Sequence, residues 1–271
     1  MTDQLSRFTS DRRGPDTASW RTDADWAAGV GENVEIADRG LVGQAPPTAD
    51  VPPDSGVYHY SFTGGSLVDD WGNGPELENN GATLVSNGTG GEAFRFTGNA
   101  ASRLDSTGPT PELEELQAVT VAGWVKPRTT RQPQDYPFLF DFASQATGSD
   151  SFRDSQGLAM SFERYSTRLR FHSPIGRPAS SNNTPDGEYT LVTGVFDGYN
   201  EEARLYYNDA QEQDVVTGNG ATGSEFNHMR VGDSVSTSND DTFDGRIDWL
   251  KFYSKALSES EIRSLYSTGS I

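Results

Sequence analysis

The 271-residue chain predicts an all-β fold, two antiparallel sheets packed as a jelly-roll sandwich with short capping helices and an extended N-terminal arm. Three observations predict it. Short runs of alternating large apolar and polar residues recur from residue 57 to residue 253, separated by clusters of Gly, Asn, Asp and Ser. The chain holds 29 glycines and 14 prolines, a density of turn formers that a mainly helical protein rarely carries. No stretch approaches the roughly 20 apolar residues that a membrane helix needs.

Residues 1–45 stand apart. They show no sustained period of 2 or 3.6, yet they hold Phe8, Trp20 and Trp26. Asp16 to Ala28 can form a short helix presenting both tryptophans, and Glu32 to Leu41 alternates weakly with Val34 and Ile36 on one side. Disordered segments are usually poor in aromatics, so these rings mark 1–45 as a docking arm for a partner. Residues 46–56 include Pro46, Pro47, Pro52 and Pro53 and read as a stiff linker. The folded domain then covers 57–271.

Within it the strands follow in order. Val57 to Phe62 places large side chains at 58, 60 and 62, and Ala93 to Phe96 alternates. Val119 to Val125 puts Val119, Val121, Gly123 and Val125 on one face and Thr120, Ala122 and Trp124 on the other. Further strands are expected at Phe138–Phe142, Leu158–Glu163, Thr167–His172, Tyr189–Phe196, Ala203–Tyr207, His228–Val231 and Ile247–Tyr253. Two short helices interrupt them. Thr110 can cap one that has Pro111 at its first position and Leu113 and Leu116 facing inward. Ser258 and Glu261 form a capping box for the second, with Ile262 and Leu265 as its buried stripe and Gly269 as its stop.

Charge narrows the setting. Twenty-one Lys and Arg stand against 40 Asp and Glu, a formal net charge of −19. The only lysines are Lys126, Lys251 and Lys255. A Lys-poor acidic surface along the whole chain suits molar salt, where the Debye length shrinks to about 3 Å and self-repulsion is screened. The composition therefore points to a haloarchaeon or its virus. Non-specific binding to nucleic acid or to an anionic membrane is disfavoured. Without cysteine, disulfides, thiolate metal sites and a cysteine nucleophile are excluded. Met1 to Arg13 is polar and charged and shows no signal-peptide pattern.

The ordered set of segments resembles a known family. Phe243 to Tyr253, with Lys255-Ala256-Leu257-Ser258 and Glu261-Ile262, resembles the C-terminal signature of laminin G-like, concanavalin A-like jelly rolls. Val119 to Lys126 resembles that family's tryptophan strand. Gly187 to Gly198 with Ala203 to Tyr206 resembles its central hairpin, and Met229 to Gly232 the strand before the signature. Tyr58 to Phe62 with Asp69 to Gly74 resembles the opening strand and its Asp-rich loop. The resemblance covers 57–268 and implies two face-to-face sheets that bind carbohydrate or protein.

It also implies candidate sites. Family members often hold one calcium ion between the Asp-rich loop and the Asp of the signature, which here maps to Asp69 or Asp70, with Asn73 and Asp248. Ca²⁺ takes six to eight oxygens. The loop departs from the family pattern, and turn chemistry of Asp and Asn is the competing reading. The related glucanases carry two Glu flanking an Asp on one strand. Here Arg246 and Leu250 stand where those acids are needed, so a non-enzyme is expected. The three histidines, His59, His172 and His228, occupy strand positions without a Gly-x-Ser-x-Gly partner.

From the residues themselves, Arg168, Arg170 and His172 alternate with Leu169 and Phe171 and would share one strand face. Such a face reads an acidic glycan or an acidic partner, or is a solvated face paired with neighbouring acids. The functional expectation is a non-enzymatic virion surface protein of a halophilic virus, a capsid-decoration, spike or tail component and a homo-oligomer in its assembly. The arm would anchor it to other virion or surface-assembly proteins, and the lectin-like domain would bind host-surface glycan or glycoprotein. The alternatives are an exported carbohydrate-binding module or glycoside hydrolase of a haloarchaeon, and an architectural protein without ligand. No nucleic-acid partner and no membrane insertion are expected.

Overall fold

The computed structural model describes residues 34–37, 40–43, 55–86, 91–98, 102–128, 136–143, 157–163, 166–183, 187–212, 214–223, 226–235 and 241–268. Phe8, Trp20, Trp26, the 16–28 helix and nearly all of the proline-rich linker lie outside them. The chain divides into two compact units, Met1–Val51 and Pro52–Ile271. In the first, β1 (Val34–Ala37) pairs antiparallel with β2 (Gly40–Gly43), so the weak alternation at Val34 and Ile36 becomes one arm of a hairpin.

The second unit is a sandwich of two antiparallel sheets. The seven-stranded sheet runs β12 (Ala179–Asn183), β11 (Arg168–His172), β10 (Leu158–Phe162), β9 (Phe138–Ala143), β17 (His228–Val231), β7 (Arg103–Ser106) and β4 (Leu77–Asn80). The other runs β15 (Ala210–Gln211), β14 (Glu202–Tyr207), β13 (Thr190–Asp197), β8 (Ala118–Pro127), β18 (Asp244–Tyr253), β6 (Glu92–Thr97) and β5 (Thr83–Ser86). On it β3 (Gly56–Tyr60) pairs with β18 and β16 (Val216–Thr217) with β14. These make it nine-stranded.

Alternation fixes which face looks inward. Val119, Val121 and Val125 of β8 meet Phe140 and Phe142 of β9 and Leu169 and Phe171 of β11 in one core. Tyr58, Tyr60 and Phe62 are fully buried there, as their spacing predicts. Two glycines permit close approach. A Cβ on Gly194 would overlap the Phe171 ring of the opposite sheet, and Gly232 sits at φ 83° where a Cβ would overlap the Phe96 ring.

One strand departs from simple alternation. The register of β18 against β8 slips between Ile247 and Trp249, a bulge centred on Asp248. Before it Phe243 and Ile247 face the core; after it Leu250 and Phe252 do. Trp249, Lys251 and Tyr253 are thereby turned to the outer face. Helix α1 (Glu259–Thr268) lies over that face, packing Ile262 and Leu265 against Tyr253 and Leu257. Its capping box forms as expected. The Ser258 N–H donates to a Glu261 carboxylate oxygen at 3.0 Å, and the Glu261 N–H donates to Ser258 Oγ at 3.3 Å.

The first expected helix is corrected. Pro111–Leu113 is a single 3₁₀ turn, and Thr110 makes no side-chain cap. Its buried hydroxyl donates instead to the Phe226 carbonyl at 3.1 Å, a partner brought from another loop. Glu114 is already extended, which stops the turn.

Candidate functional site

The calcium candidates come together only in part. Asp69 is 3% exposed and its carboxylate accepts four main-chain N–H groups. Oδ1 takes those of His59 (2.6 Å) and Trp71 (3.2 Å), and Oδ2 those of Asn73 and Gly74 (both 2.7 Å). A carboxylate offers about four lone-pair sites, so this one is committed to folding its own loop. Asn73 donates to the Val57 carbonyl at 3.0 Å. Asp70 is exposed and accepts the Ser61 N–H at 3.0 Å. Asp248 lies in the β18 bulge, where its charge acts on Tyr189. Among the described residues no three His, Asp or Glu side chains converge as a metal site. The four residues do not fit a calcium ion. His59 beside this loop is neutral: burial, then the Lys251 ammonium, push its imidazole down to about 3. Its 3.6 Å approach to Asp70 is therefore not an ion pair.

The arginine face exists but is occupied. Leu169 and Phe171 point inward, and Arg168 and Arg170 point outward, as the alternation requires. Both guanidiniums grip Glu163, Arg170 through Nε at 3.1 Å and Nη2 at 2.5 Å. His172 is 5% exposed and shares a 2.8 Å hydrogen bond with Ser161, which is fully buried. That Ser–His pair escaped sequence reasoning, and its burial withholds the hydroxyl from any substrate.

A larger polar cluster was also missed. On the outer face of the seven-stranded sheet, Asp105, Arg230 and Asp141 stand side by side on β7, β17 and β9. Arg230 Nε donates to Asp105 at 2.6 Å and its Nη1 to the Ser234 carbonyl at 2.6 Å. Arg103 and Asn80 also donate to Asp105, each at 2.8 Å. Burial pushes Asp105 up, but the two arginines outweigh it and hold the carboxyl below its ordinary range. Asp141 has the opposite fate. Fully buried, it receives the Ser234 hydroxyl (3.0 Å) and the Val235 N–H (2.9 Å) on Oδ2, while its Oδ1 has no hydrogen-bond partner. Burial drives it up to about 7, and Asp233, 5% exposed, up to about 6. Two raised carboxyls side by side are the ingredients of acid–base catalysis. Here Asp141 is sealed beneath the 233–235 turn and Asp233 is buried within it, so the cluster pins that turn to the sheet.

The accessible chemistry lies on the outer face of the nine-stranded sheet. Lys126, Lys251 and the three described tryptophans are on it or beside it. Trp124 of β8 and Trp249 of β18 are cross-strand partners with ring planes 9° apart and centroids 6.5 Å apart. The bulge at Asp248 is what brings Trp249 to this side. Lys251 Nζ sits 5.4 Å from the Trp249 ring and 5.8 Å from the Trp71 ring. Tyr266 of α1 lies 6.1 Å from Trp124. Lys126 Nζ stands 5.4 Å over Tyr189. Trp249 and Trp71 are buried, whereas Trp124, Lys126, Tyr189, Arg246 and Tyr266 are half-buried and reach solvent.

These features belong to a recognised fold family. A profile of the concanavalin A-like lectin/glucanases superfamily matches residues 97–263, and the chain belongs to that superfamily. No curated protein matches it. Among solved structures it is similar to domain 4 of an extracellular arabinanase from Geobacillus stearothermophilus, solved in complex with arabinotriose. That match has 21% identity and a TM-score of 0.57 and covers 78% of this chain and 98% of that domain. It is similar to botulinum neurotoxin type C, whose cell entry is described as dependent upon interaction with two ganglioside molecules. There the identity is 12%, the TM-score 0.59, and the coverage 79% of this chain and 51% of the toxin chain. Trypanosoma rangeli sialidase matches at 16% identity and a TM-score of 0.59, with 80% of this chain and 33% of that one covered. This chain thus spans about half of the toxin chain and a third of the sialidase. At these identities the likeness concerns the fold.

Proposed function

We propose that the sandwich is a non-catalytic carbohydrate-binding module that holds sugar on the aromatic face of its nine-stranded sheet. The observation that carries this reading is the half-buried Trp124, stacked on Trp249 and bordered by Tyr266. An indole with one face backed by a second ring and an edge in water offers rigid apolar area for the C–H face of a pyranose. Superfamily membership and the arabinotriose complex of the arabinanase domain support it. The non-catalytic part rests on β18. Arg246 stands outward, and Leu250, behind the bulge, is buried in the core. The two raised carboxyls on the other sheet are sealed. The test is calorimetric titration of a neutral and acidic oligosaccharide panel, with product analysis of each mixture. Binding without turnover, lost at least tenfold in Trp124→Ala with the melting temperature retained, is expected. Turnover abolished by one Asp or Glu substitution would overturn the reading.

The same proposal places the module on the surface of a halophilic virion, with residues 1–45 docking on neighbouring proteins of the assembly. Its supports are the net charge of −19 and the three rings of the arm. Deleting residues 1–45 is expected to leave the sandwich folded and to abolish incorporation into particles. A deletion variant that still incorporates would refute the docking role.

A further inference from the structure

We propose that the sugar is acidic, its carboxylate held by a row of three cations, Arg95, Arg246 and Lys126, beside the aromatic platform. This rests on the carbohydrate reading above and adds the class of ligand.

The row is set by register. Arg246 of β18 pairs with Arg95 of β6 on one side and with Lys126 of β8 on the other. Neighbouring strands lie about 4.8 Å apart, so three positive side chains fall within roughly 10 Å along one line across the sheet. Like charges directly opposite each other destabilise a strand pair. The placement is costlier still to explain in a chain with 40 acids from which to draw partners. Elsewhere that supply is used. Arg103, Arg128, Arg168, Arg170, Arg204 and Arg230 each have a carboxylate within 3.8 Å. Among the described residues, Arg95, Arg246 and Lys126 have none. Arg246 Nη1 donates to the Ser86 carbonyl at 3.0 Å, and its guanidinium also faces the Tyr189 hydroxyl; neither partner is a carboxylate. Lys126 rests on the Tyr189 ring. Asp248 is the acid whose charge reaches this corner, acting on Tyr189, and it is itself 5% exposed.

All three cations are half-buried. Their stems lie on the sheet and their heads reach water, the arrangement that presents charge at low entropic cost. Arg246 can grip a carboxylate through two parallel N–H groups, and Lys126 adds a point charge one strand away. Trp124 lies two residues from Lys126 on the same face of β8, so stacking area and cations adjoin. A carboxylated sugar, a uronate or a sialate, matches that pairing of apolar ring face and anionic substituent. A nucleic acid fits worse, because a chain of net charge −19 repels a long polyanion away from the contact.

The full chain should be titrated calorimetrically, at the lowest salt that keeps it folded, with trigalacturonate and a sialyl trisaccharide. Each is paired with its carboxyl-reduced neutral counterpart, and a sulfated trisaccharide, an acidic peptide and a 12-base DNA serve as further probes. At least one carboxylated sugar should bind tenfold or more tightly than its reduced form. Arg246→Gln and, separately, Arg95→Gln should erase that preference while shifting the melting temperature by less than about 2 °C. Equal affinity for a sugar and its reduced form would overturn the acidic-ligand inference and leave the carbohydrate reading standing. So would a preference kept in both variants. Tighter binding of the sulfated sugar than of either carboxylate would overturn the carboxylate assignment. Binding only to peptide or DNA, or to no probe, would overturn the inference and the carbohydrate reading together.

Discussion

Replacing Asp69 by Ala removes the carboxylate that closes the 69–74 loop, and the structure sets the size of the effect. Four main-chain donors lose their acceptor. The N–H groups of Asn73 and Gly74 lie where the loop is open to solvent and can turn to water. Those of His59 and Trp71 belong to buried residues and are left unsatisfied. An orphaned buried donor costs about 1–3 kcal/mol, and a hydrogen bond to a charged group contributes about 1.5–3 kcal/mol. Two orphans and two weakened bonds together amount to about 4 kcal/mol. For a unit of this size that lowers the melting temperature by about 8–16 °C. Asp69→Asn, which keeps one acceptor oxygen, should fall between. Thermal melts followed by near-ultraviolet circular dichroism, with and without chelator, measure both the loss and its cause. Chelator should leave the wild-type melting temperature unchanged, because the carboxylate serves the backbone. A loss under 2 °C in Asp69→Ala, or a wild-type protein that chelator destabilises as much as the substitution does, would refute this reasoning and restore calcium.

Other perturbations probe other parts of the molecule. Gly194→Ala forces a methyl into the Phe171 ring across the sandwich and should cost about 1–3 kcal/mol in denaturant unfolding; an unchanged midpoint would mean the sheets are not so closely set. Asp141 and Asp233 have folded-state values raised to about 7 and about 6 from an ordinary 3.8, so the native state binds their protons more tightly. Their contribution is therefore full below about pH 4 and is lost as pH rises through 6 and 7. Asp141→Asn should flatten that decline and raise stability at pH 8, and wild-type stability that stays level from pH 5 to 8 would contradict the burial argument. Asp105 and Glu261, both held low, act in the opposite sense and only in more acid solution. Ser258→Ala removes one half of the capping box and should cost about 1 kcal/mol, with α1 the first segment to lose amide protection in hydrogen exchange.

Most of the sandwich was legible because its long strands bury one face. The β8 alternation at Val119, Val121 and Val125, and the triplet Tyr58, Tyr60 and Phe62, carry their orientation in the side chains themselves. Short polar strands carry no such signal. Leu77–Asn80 and Ala179–Asn183, mostly polar in sequence, are recognised as strands by their pairing. The bulge on β18 hides in a phase slip: apolar residues at 243 and 247 are odd-numbered, those at 250 and 252 even, and Trp249 fills the gap between them. The Asp105–Arg230–Asp141 cluster was invisible to local spacing because its strands are far apart in the chain. One clue was present, an aspartate between Phe140 and Phe142 in an otherwise apolar strand. Arg246 was read only as a missing acid. Its role as the centre of a cationic row depends on which strands flank β18, and pairing of that kind is tertiary.

The aromatic face is tested most directly by following the indole N–H resonances of the five tryptophans while an oligosaccharide that binds in calorimetry is added. The Trp124 resonance should shift in step with saturation, with Trp249 following through their stacked rings, and the Trp124→Ala protein should show neither shift nor heat. Saturable binding that leaves the Trp124 resonance unmoved would contradict the assignment of the sugar site to the nine-stranded sheet.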